Sequence, residues 1–186
     1  MERLQRRSTD VSTAAVATAT EKVDEARTAF DALYRESRDD LYAYVAGLLR
    51  DRSAAEEVTS QAFERAWRKR RQLNRHRGTP RAWLFGIARN AALDELRRRT
   101  RLAPGAEHGT AVDAVSNPAE TAVDRALLRQ ALDSLSGRER QLVALKYFAG
   151  LSNAEIAAVI RTSESNAGTR LHRVIGKLRR SIDEAD

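Results

Sequence analysis

Residues 136–180 constrain the fold most strongly, because three short helix patterns follow one another there with tight breaks between them. Ser136 and Glu139 have the S-x-x-E spacing of a capping box, in which each side chain accepts a hydrogen bond from the other residue's amide. Ser152 and Glu155 repeat this spacing. Gly150 lies between the two helices, where glycine adopts the left-handed conformation at least cost. The pattern predicts a helix-turn-helix with a further helix in front.

The last helix of this segment has the composition of a helix that lies in a DNA major groove. Between residues 161 and 180 there are six basic residues and one acid, Glu164, and the first turns carry short polar side chains. Short polar groups read base edges, and basic groups bind phosphates. The other interpretation is a three-helix bundle whose basic face is only solvated. The pattern favours DNA binding.

The overall composition supports a helical protein with an anionic partner. The chain has 186 residues, a formal charge of +7, no cysteine, and only three prolines and nine glycines. An excess of positive charge is typical of proteins that neutralise phosphates. The three histidines are far apart in sequence, so we expect no metal site and no cofactor. No apolar run approaches the roughly 20 residues of a membrane span, so we expect a cytoplasmic protein that does not bind membranes.

A second basic segment lies in the first half of the chain. Residues 65–101 carry thirteen basic residues and two acids, and Trp83 stands beside an arginine-rich loop. Aromatic stacking combined with cations suits single-stranded nucleic acid. Thr79 and Pro80 have the residue types of a helix N-cap and first position, and Ser53 and Glu56 form a third capping-box spacing. This half therefore predicts a second helical module.

These patterns predict an all-α fold of two small helical domains joined by a flexible linker. The linker has no lysine or arginine but contains two prolines and two glycines. We expect a mobile N-terminal tail over 1–27, a first domain over 28–101, the linker over 102–121, a second domain over 122–182 and a short tail over 183–186.

The two motif sets together resemble the extracytoplasmic-function (group IV) sigma factors of the sigma-70 family. The segment "AEEVTSQAFERAW…GTPRAWLFGIARNAALDELRRR" is similar to sigma region 2, and "LDSLSGRERQLVALKYFAGLSNAEIAAVI…TRLHRVIGKLRR" is similar to sigma region 4. The resemblance implies a sigma factor that binds bacterial core RNA polymerase and directs promoter-specific transcription initiation. It would read the −35 element as duplex and capture the unpaired strand of the −10 element. The family also usually has an anti-sigma factor as a partner.

The resemblance also implies roles for individual residues. Core polymerase would contact Glu57, Gln61 and Arg65. The −10 element would contact Arg75, Arg77, Trp83, Arg89 and Asn90. The −35 element would contact Ser163, Ser165, Asn166, Thr169, Arg170, Arg173 and Lys177. No catalytic or metal-binding residue is implied, because the chemistry belongs to the polymerase.

The sequence departs from the family pattern at two places in region 4. Arg161 stands where the turn before the recognition helix usually has glycine, and Gly168 stands where the family usually has lysine. We therefore predict an unusual −35 preference or a weaker dependence on that element.

Three other classes of function fit the sequence less well than a sigma factor. A stand-alone helix-turn-helix regulator would explain residues 136–180 but not the basic loop near Trp83. A basic RNA- or membrane-binding protein lacks a large apolar face rimmed by lysine. An enzyme is the least favoured class, since no catalytic spacing is present.

Overall fold

A computed structural model of the protein describes residues 2–75, 78–102 and 122–184, with side chains over 23–73, 78–102 and 127–184. These residues form α-helices and no strand. The helices are α1 (Glu2–Leu49), α2 (Arg52–Arg68), α3 (Pro80–Leu102), α4 (Ala122–Asp133), α5 (Gly137–Val143), α6 (Asn153–Ile160) and α7 (Glu164–Asp183). A 3-10 helix covers Arg70–Arg75, and a π-helical segment covers Ala144–Phe148.

The first three helices pack into one bundle around a fully buried core. Leu41 and Tyr44 of α1 meet Leu84 and Phe85 of α3, and the Tyr44 and Phe85 rings lie edge to face with centroids 5.6 Å apart. The apolar positions of α1 recur at helical spacing and bury one stripe, which explains why one long helix forms here. One uninterrupted helix, Glu2–Leu49, therefore covers the segment.

The second bundle contains the predicted helix-turn-helix. Leu145, Leu151 and Ile156 are its most buried large side chains, and Leu171 of α7 packs on the same core. A turn at Gly150, with φ of +62°, separates the π-helical segment from α6. The left-handed conformation predicted for this glycine is therefore confirmed.

Two of the three predicted capping boxes form. The Glu139 amide donates to Ser136 Oγ (3.4 Å), and the Ser136 amide donates to Glu139 Oε2 (2.7 Å). The Ser152 and Glu155 pair makes the same two bonds, at 3.2 Å and 3.0 Å. These bonds satisfy amides that have no partner inside the helix, so they fix where α5 and α6 begin.

The predicted box at Ser53 is wrong. The N-cap of α2 is Asp51, whose carboxylate accepts a hydrogen bond from the Ala54 amide (3.0 Å). Asp51 Oδ2 also accepts a hydrogen bond from Arg99 Nη2 at 2.9 Å, in an ion pair. The cap of α2 is therefore held in place by α3 as well. The arginine-rich segment before Trp83 is predicted to be a loop, but residues Arg70–Arg75 form a 3-10 helix.

The predicted tail and linker define the predicted domain boundaries, which the structure covers only in part. The backbone of α1 is helical from Glu2, and the mobility predicted for residues 1–27 stays a prediction. Residues 103–121, almost all of the predicted linker, lie outside the described residues. The boundaries at 28, 101, 122 and 182 also stay predictions.

The two bundles pack directly against each other. α3 lies against α6, and α1 lies against the π-helical segment. At the second contact, a Cβ added to Gly47 would lie 3.0 Å from the Phe148 ring, so the absence of a side chain permits this close approach.

Candidate nucleic-acid interface

The start of α7 is fixed by local hydrogen bonds that follow directly from the sequence. α6 ends at Ile160, and Arg161 reverses the chain with φ of +58° and ψ of +58°. Ser163 then caps α7 by accepting a hydrogen bond from the Asn166 amide at 3.2 Å. Ala167 and Leu171 bury one face of the helix. The opposite face therefore points away from the protein.

That outward face carries most of the residues predicted to contact the −35 element. Ser163, Ser165, Asn166, Thr169, Arg170 and Arg173 are all exposed on it. Asn166 Nδ2 donates to Thr162 Oγ1 (2.8 Å), and the Thr169 hydroxyl donates to the Ser165 carbonyl (2.9 Å). Asn166 is exposed, so its side-chain amide is accessible to a partner outside the protein. The face combines short polar groups with two guanidinium groups, as a major-groove helix requires.

One residue predicted for DNA lies elsewhere, and one exposed residue was missed. Lys177 is half-buried, and its ammonium donates to the Ser134 carbonyl (3.0 Å) and to Glu139 Oε2 (3.2 Å). It therefore ties α7 to the turn before α5. His172 is exposed one turn beyond Thr169, a position that helical spacing alone could have indicated.

The Glu139 carboxylate is the centre of that tie. Hydrogen bonds from the Ser136 amide and hydroxyl lower the pKa of Glu139, and Lys177 lowers it further. The same carboxylate thus completes a capping box and binds the only lysine of α7. The ion pair between Lys177 and Glu139 therefore fixes the position of α7 relative to the start of α5.

The three residues predicted for core polymerase line one open groove between α2 and α3. The groove has a volume of about 500 Å³, and Glu57, Gln61 and Arg65 form its α2 side. Gln61 Nε2 donates to Glu57 Oε1 at 3.1 Å. The α3 side is also charged: it contributes Asp94, Glu95, Arg98 and Arg101. The structure therefore brings the predicted residues together on one polar surface.

Charges on the α3 side of the groove are held in a fixed network. Arg98 binds both Glu95 oxygens, at 2.7 Å and 2.8 Å, and Arg99 binds one of them at 2.8 Å. The hydrogen bonds from Arg98, followed by those from Arg99, lower the pKa of Glu95 to about 2. Arg97 pairs with Asp94 at 2.9 Å. The i, i+3 and i, i+4 spacing of these charges on α3 was the available sequence signal.

The residues predicted for the −10 element are only partly gathered at the surface. Asn90 is exposed, Arg89 is half-buried, and Trp83 is 6% exposed and makes contacts within the protein. The side chains of Arg75 and Arg77 lie outside the described residues. Thr79 caps α3 as predicted, because the Ala82 amide donates to its hydroxyl at 3.1 Å.

A buried polar cluster lies where α1, α3 and α5 meet. Burial raises the pKa of the Tyr44 hydroxyl, and the neighbouring Gln141 amide and Arg89 guanidinium offset this only in part. Tyr44 Oη, Gln141 Nε2 and Arg89 Nε are buried, and none makes a hydrogen bond of good geometry among the described residues, although Gln141 lies close enough to Tyr44 to interact with its hydroxyl. A buried polar group without a partner costs free energy. This contact between the two bundles is therefore poorly satisfied.

Two residues at the start of α3 reach across to the helix-turn-helix. The Thr79 hydroxyl donates to Glu155 Oε1 at 2.8 Å. Arg81 Nη2 donates to Asp40 Oδ2 and to the Ala149 carbonyl, each at 2.6 Å. Burial pushes the pKa of Glu155 up, but hydrogen bonds from the Ser152 amide, Thr79 and the Ser152 hydroxyl lower it by more. The carboxylate that caps α6 therefore also binds the segment in front of α3.

Comparison with known families covers both bundles. Residues 33–102 match the family described as Sigma-70 region 2, and residues 125–178 match Sigma-70, region 4. The chain is 33% identical over 156 residues to the ECF RNA polymerase sigma factor SigL of Mycobacterium tuberculosis, which covers 82% of this chain and 88% of the relative. It is 29% identical over 163 residues to the ECF RNA polymerase sigma factor SigK of Mycobacterium ulcerans, covering 84% and 87%.

Solved structures share the fold. The sigma factor RpoE of Bartonella quintana, in complex with the anti-sigma factor NepR, superposes with a TM-score of 0.69 at 22% identity, covering 83% of this chain and 96% of that chain. CnrH, in complex with the cytosolic domain of CnrY, superposes with a TM-score of 0.64 at 23% identity, covering 90% and 96%. These likenesses confirm the all-α fold predicted from the sequence.

Proposed function

Because the chain belongs to the extracytoplasmic-function sigma factors of the sigma-70 family, we propose how its surfaces divide the work of promoter recognition. As a sigma factor it directs promoter-specific transcription by RNA polymerase. The observation that carries the finer proposal is the outward face of α7, which presents short polar groups and two arginines on a capped helix-turn-helix.

In this proposal α7 reads the −35 element as duplex. Its N-terminal residues, Ser163 to Asn166, enter the major groove, where the Asn166 amide is a candidate for an adenine edge. Arg170 and Arg173 follow one and two turns later and bind the flanking phosphates. Gly168 lies between Asn166 and Arg170 and contributes no charge, which supports the predicted weaker or altered −35 dependence.

The region 2 bundle captures the −10 element and docks on the polymerase. Glu57, Gln61 and Arg65 bind core polymerase through the α2–α3 groove, and the charged residues of α3 extend that surface. The unpaired strand is held by Asn90, Arg89 and Trp83, together with Arg77 and with Arg75 at the end of the 3-10 helix. Binding energy from stacking and cations drives the melting, and no Walker loop is present in the sequence to couple it to ATP hydrolysis.

We assign the protein to the cytoplasm and give it no enzymatic role of its own. Sigma factors act as regulators of the polymerase, and the described part of the chain contains no helix able to span a membrane. The two structural neighbours were solved with the anti-sigma factor NepR and with the cytosolic domain of CnrY. By analogy we propose that an anti-sigma factor also binds this chain.

Promoter-directed transcription with purified bacterial core polymerase tests the proposal. With a genomic fragment library as template and start sites mapped, we expect new starts that share one −10 and one −35 sequence. Tight specific duplex binding without polymerase, and no new starts with it, would refute the proposal in favour of a stand-alone regulator.

Charge reversal on α2 tests the core-binding surface. Glu57→Arg should lower the affinity for core polymerase, because it reverses a charge in the groove. Glu64→Arg is the matched control, since Glu64 is exposed on the same helix but does not line the groove. Equal affinities for the two variants would place the polymerase contact elsewhere.

Truncation on α3 tests the −10 surface. Asn90→Ala should weaken binding of the polymerase holoenzyme to a forked template with an unpaired −10 strand, by about tenfold if one base contact is lost. Thr100→Ala, an exposed change three turns along α3, should leave that affinity unchanged. Loss of affinity in neither variant would remove Asn90 from the site.

A further inference from the structure

The turn between α6 and α7 contains an arginine in a conformation that is unfavourable for any residue with a side chain. Arg161 ends α6 with φ of +58° and ψ of +58°, in the left-handed region. There the Cβ lies too close to the following carbonyl oxygen, a cost that glycine does not have. The chain itself uses glycine for the turn in front of α6, where Gly150 has φ of +62°. The turn alone therefore does not explain why residue 161 is an arginine.

A second arginine with a positive φ shows how such a cost is offset. Arg50 follows α1 with φ of +53°, and its guanidinium pairs with the Asp133 carboxylate of α4. In the described part of the chain, Arg50 and Arg161 are the only residues other than glycine with a positive φ. At Arg50, an anion bound by the side chain contributes free energy that offsets the conformation.

Arg161 has no such anion within the described part of the protein. Its side chain is exposed and forms no hydrogen bond or ion pair with any described residue. This includes Glu164, which is the one acid between residues 161 and 180. A guanidinium group stays charged and binds carboxylates and phosphates in a fork geometry. Arg161 is therefore available to bind an anion outside the protein.

The place of Arg161 in the helix-turn-helix favours a phosphate as that anion. In such motifs the first helix crosses the DNA backbone, and the second lies in the major groove. The residue that joins the two helices is therefore close to the edge of the groove, where the phosphates lie. Here α6 is the first helix, and Arg161 is two residues before Ser163, the cap of α7. The amides at the start of α7 add positive partial charge at the same edge.

We propose that Arg161 binds a DNA phosphate at the edge of the −35 element and that the strained turn is retained for this contact. The inference rests on the proposed function, because it adds one phosphate contact to the surface that α7 presents to DNA. Strained residues persist where binding requires them, and glycine would relieve the strain but remove the cation. A phosphate contact has no sequence information, so Arg161 raises the affinity for every −35 sequence alike.

Three substitutions at position 161 separate the charge from the conformation. Arg161→Gly removes both the charge and the strain, Arg161→Ala removes only the charge, and Arg161→Lys keeps a charge. Polymerase holoenzyme with each full-length variant is titrated on promoter DNA at about 50 and 200 mM salt. The glycine and alanine variants should bind more weakly than wild type, and this deficit should shrink about 3.5-fold at the higher salt concentration, as expected for one lost phosphate contact. The lysine variant should keep the wild-type salt dependence.

An unfolding measurement on the same variants distinguishes lost binding from lost stability. Arg161→Gly relieves the left-handed strain, so its weaker DNA binding should accompany a higher midpoint of urea unfolding. Arg129→Ala is the matched control for net charge. Arg129 is exposed on α4, one turn before Asp133, on the side of that helix where Asp133 binds Arg50. Its removal should leave the salt dependence of promoter binding unchanged.

Promoters with single neutral phosphates identify the group that Arg161 binds. One methylphosphonate, placed in turn at each position along both strands of the −35 element, removes one negative charge. At one position it should weaken binding of wild-type holoenzyme but not of the Arg161→Ala holoenzyme, because that variant has already lost the contact. Arg173→Ala should still respond at this position, since its proposed phosphate is a different one.

Promoters with single base-pair changes distinguish a phosphate contact from a base contact. Arg161→Ala should lose the same fold of affinity for every −35 sequence, whereas Asn166→Ala should change which sequence is preferred. A changed sequence preference in Arg161→Ala would place Arg161 on a base edge and overturn the inference.

Two further results would overturn the phosphate contact. One is an Arg161→Ala holoenzyme with the wild-type salt dependence and the wild-type response to every methylphosphonate. The other is weaker assembly of Arg161→Ala with core polymerase in the absence of DNA, because the anion would then be a carboxylate of the polymerase. If Arg170→Ala and Arg173→Ala also keep the wild-type salt dependence, the proposed role of α7 itself fails. Wild-type dependence in the Arg161 variants alone refutes only the contact at Arg161.

Discussion

Replacing Arg161 by glycine should stabilise the protein, because this residue ends α6 in a strained conformation. Its φ of +58° and ψ of +58° are those of the left-handed region. An L-residue there brings its Cβ too close to the following carbonyl oxygen, at a cost of about 1–2 kcal/mol. Arg161 is exposed, so its side chain does not hold the turn in place. The strain belongs to the backbone.

The expected gain is about 1 kcal/mol. Relief of the left-handed conformation contributes about 1–2 kcal/mol, and the extra chain entropy that glycine loses on folding offsets about 0.5–1 kcal/mol. For a chain of this size, 1 kcal/mol raises Tm by about 2–4 °C. Urea unfolding of Arg161→Gly should show the same gain as a higher midpoint with an unchanged slope.

Arg161→Ala is the matched control for this prediction. It removes the same positive charge but keeps the Cβ, so the strain remains and the midpoint should not rise. A second contrast is Arg50→Gly, because Arg50 has φ of +53° but also pairs with Asp133. There the lost ion pair should cancel part of the gain. If Arg161→Ala is stabilised as much as Arg161→Gly, the effect is electrostatic and the strain argument is refuted.

Three further predictions concern the charges of α7 and α3. A Cβ at Gly168 would lie in ordinary contact, 3.4 Å from Asn153 Nδ2. Gly168→Lys should therefore steepen the slope of log K against log salt concentration for −35 binding by about 0.9 relative to Gly168→Ala. Equal slopes and equal promoter profiles for the two variants would refute this prediction. Arg173→Ala should flatten that slope by about 0.9. Lys177→Ala should leave the slope unchanged and lower the midpoint of urea unfolding, because the Lys177 ammonium is bound within the protein. The reverse pattern would place Lys177 on the DNA. Folding lowers the pKa of Glu95 from 4.5 to about 2, so the ionised carboxylate stabilises the folded protein above pH 4.5, and this contribution is lost as the pH falls towards 2. The difference in unfolding free energy between wild type and Glu95→Gln should shrink over that range. A constant difference would contradict the lowered pKa.

The parts of the fold that the sequence predicted correctly depend on short-range chemistry. The boxes at Ser136 and Ser152 involve residues three apart, so the spacing alone contains the information. Gly150 and Thr79 are also local signals, and both took the predicted conformation or cap. The Ser53 box failed because Asp51 is an equally good cap, and its ion pair with Arg99, 48 residues away, favours the earlier start.

The parts that the sequence could not predict depend on contacts between distant segments. Lys177 looks like a phosphate ligand because its helix is basic, yet it meets Glu139 across the bundle. Trp83 follows the basic loop and is expected to contact the −10 element, but only the packing of the bundle shows that its side chain is buried. Helical spacing assigns residues to faces, but it does not say which face another helix will cover.

The hydrogen bond from Thr79 to Glu155 illustrates why one residue can have two roles that no motif separates. Glu155 is predicted as a capping residue, and it is one. Capping uses one carboxylate oxygen, Oε2, and leaves Oε1 able to accept a second bond, which Thr79 donates. Thr79 also has two roles, because its hydroxyl oxygen accepts the bond that caps α3 while its hydroxyl proton remains able to be donated. Two caps therefore leave one acceptor and one donor unused, and these are the groups that join the start of α3 to α6. Breaking that bond would therefore leave both helices capped.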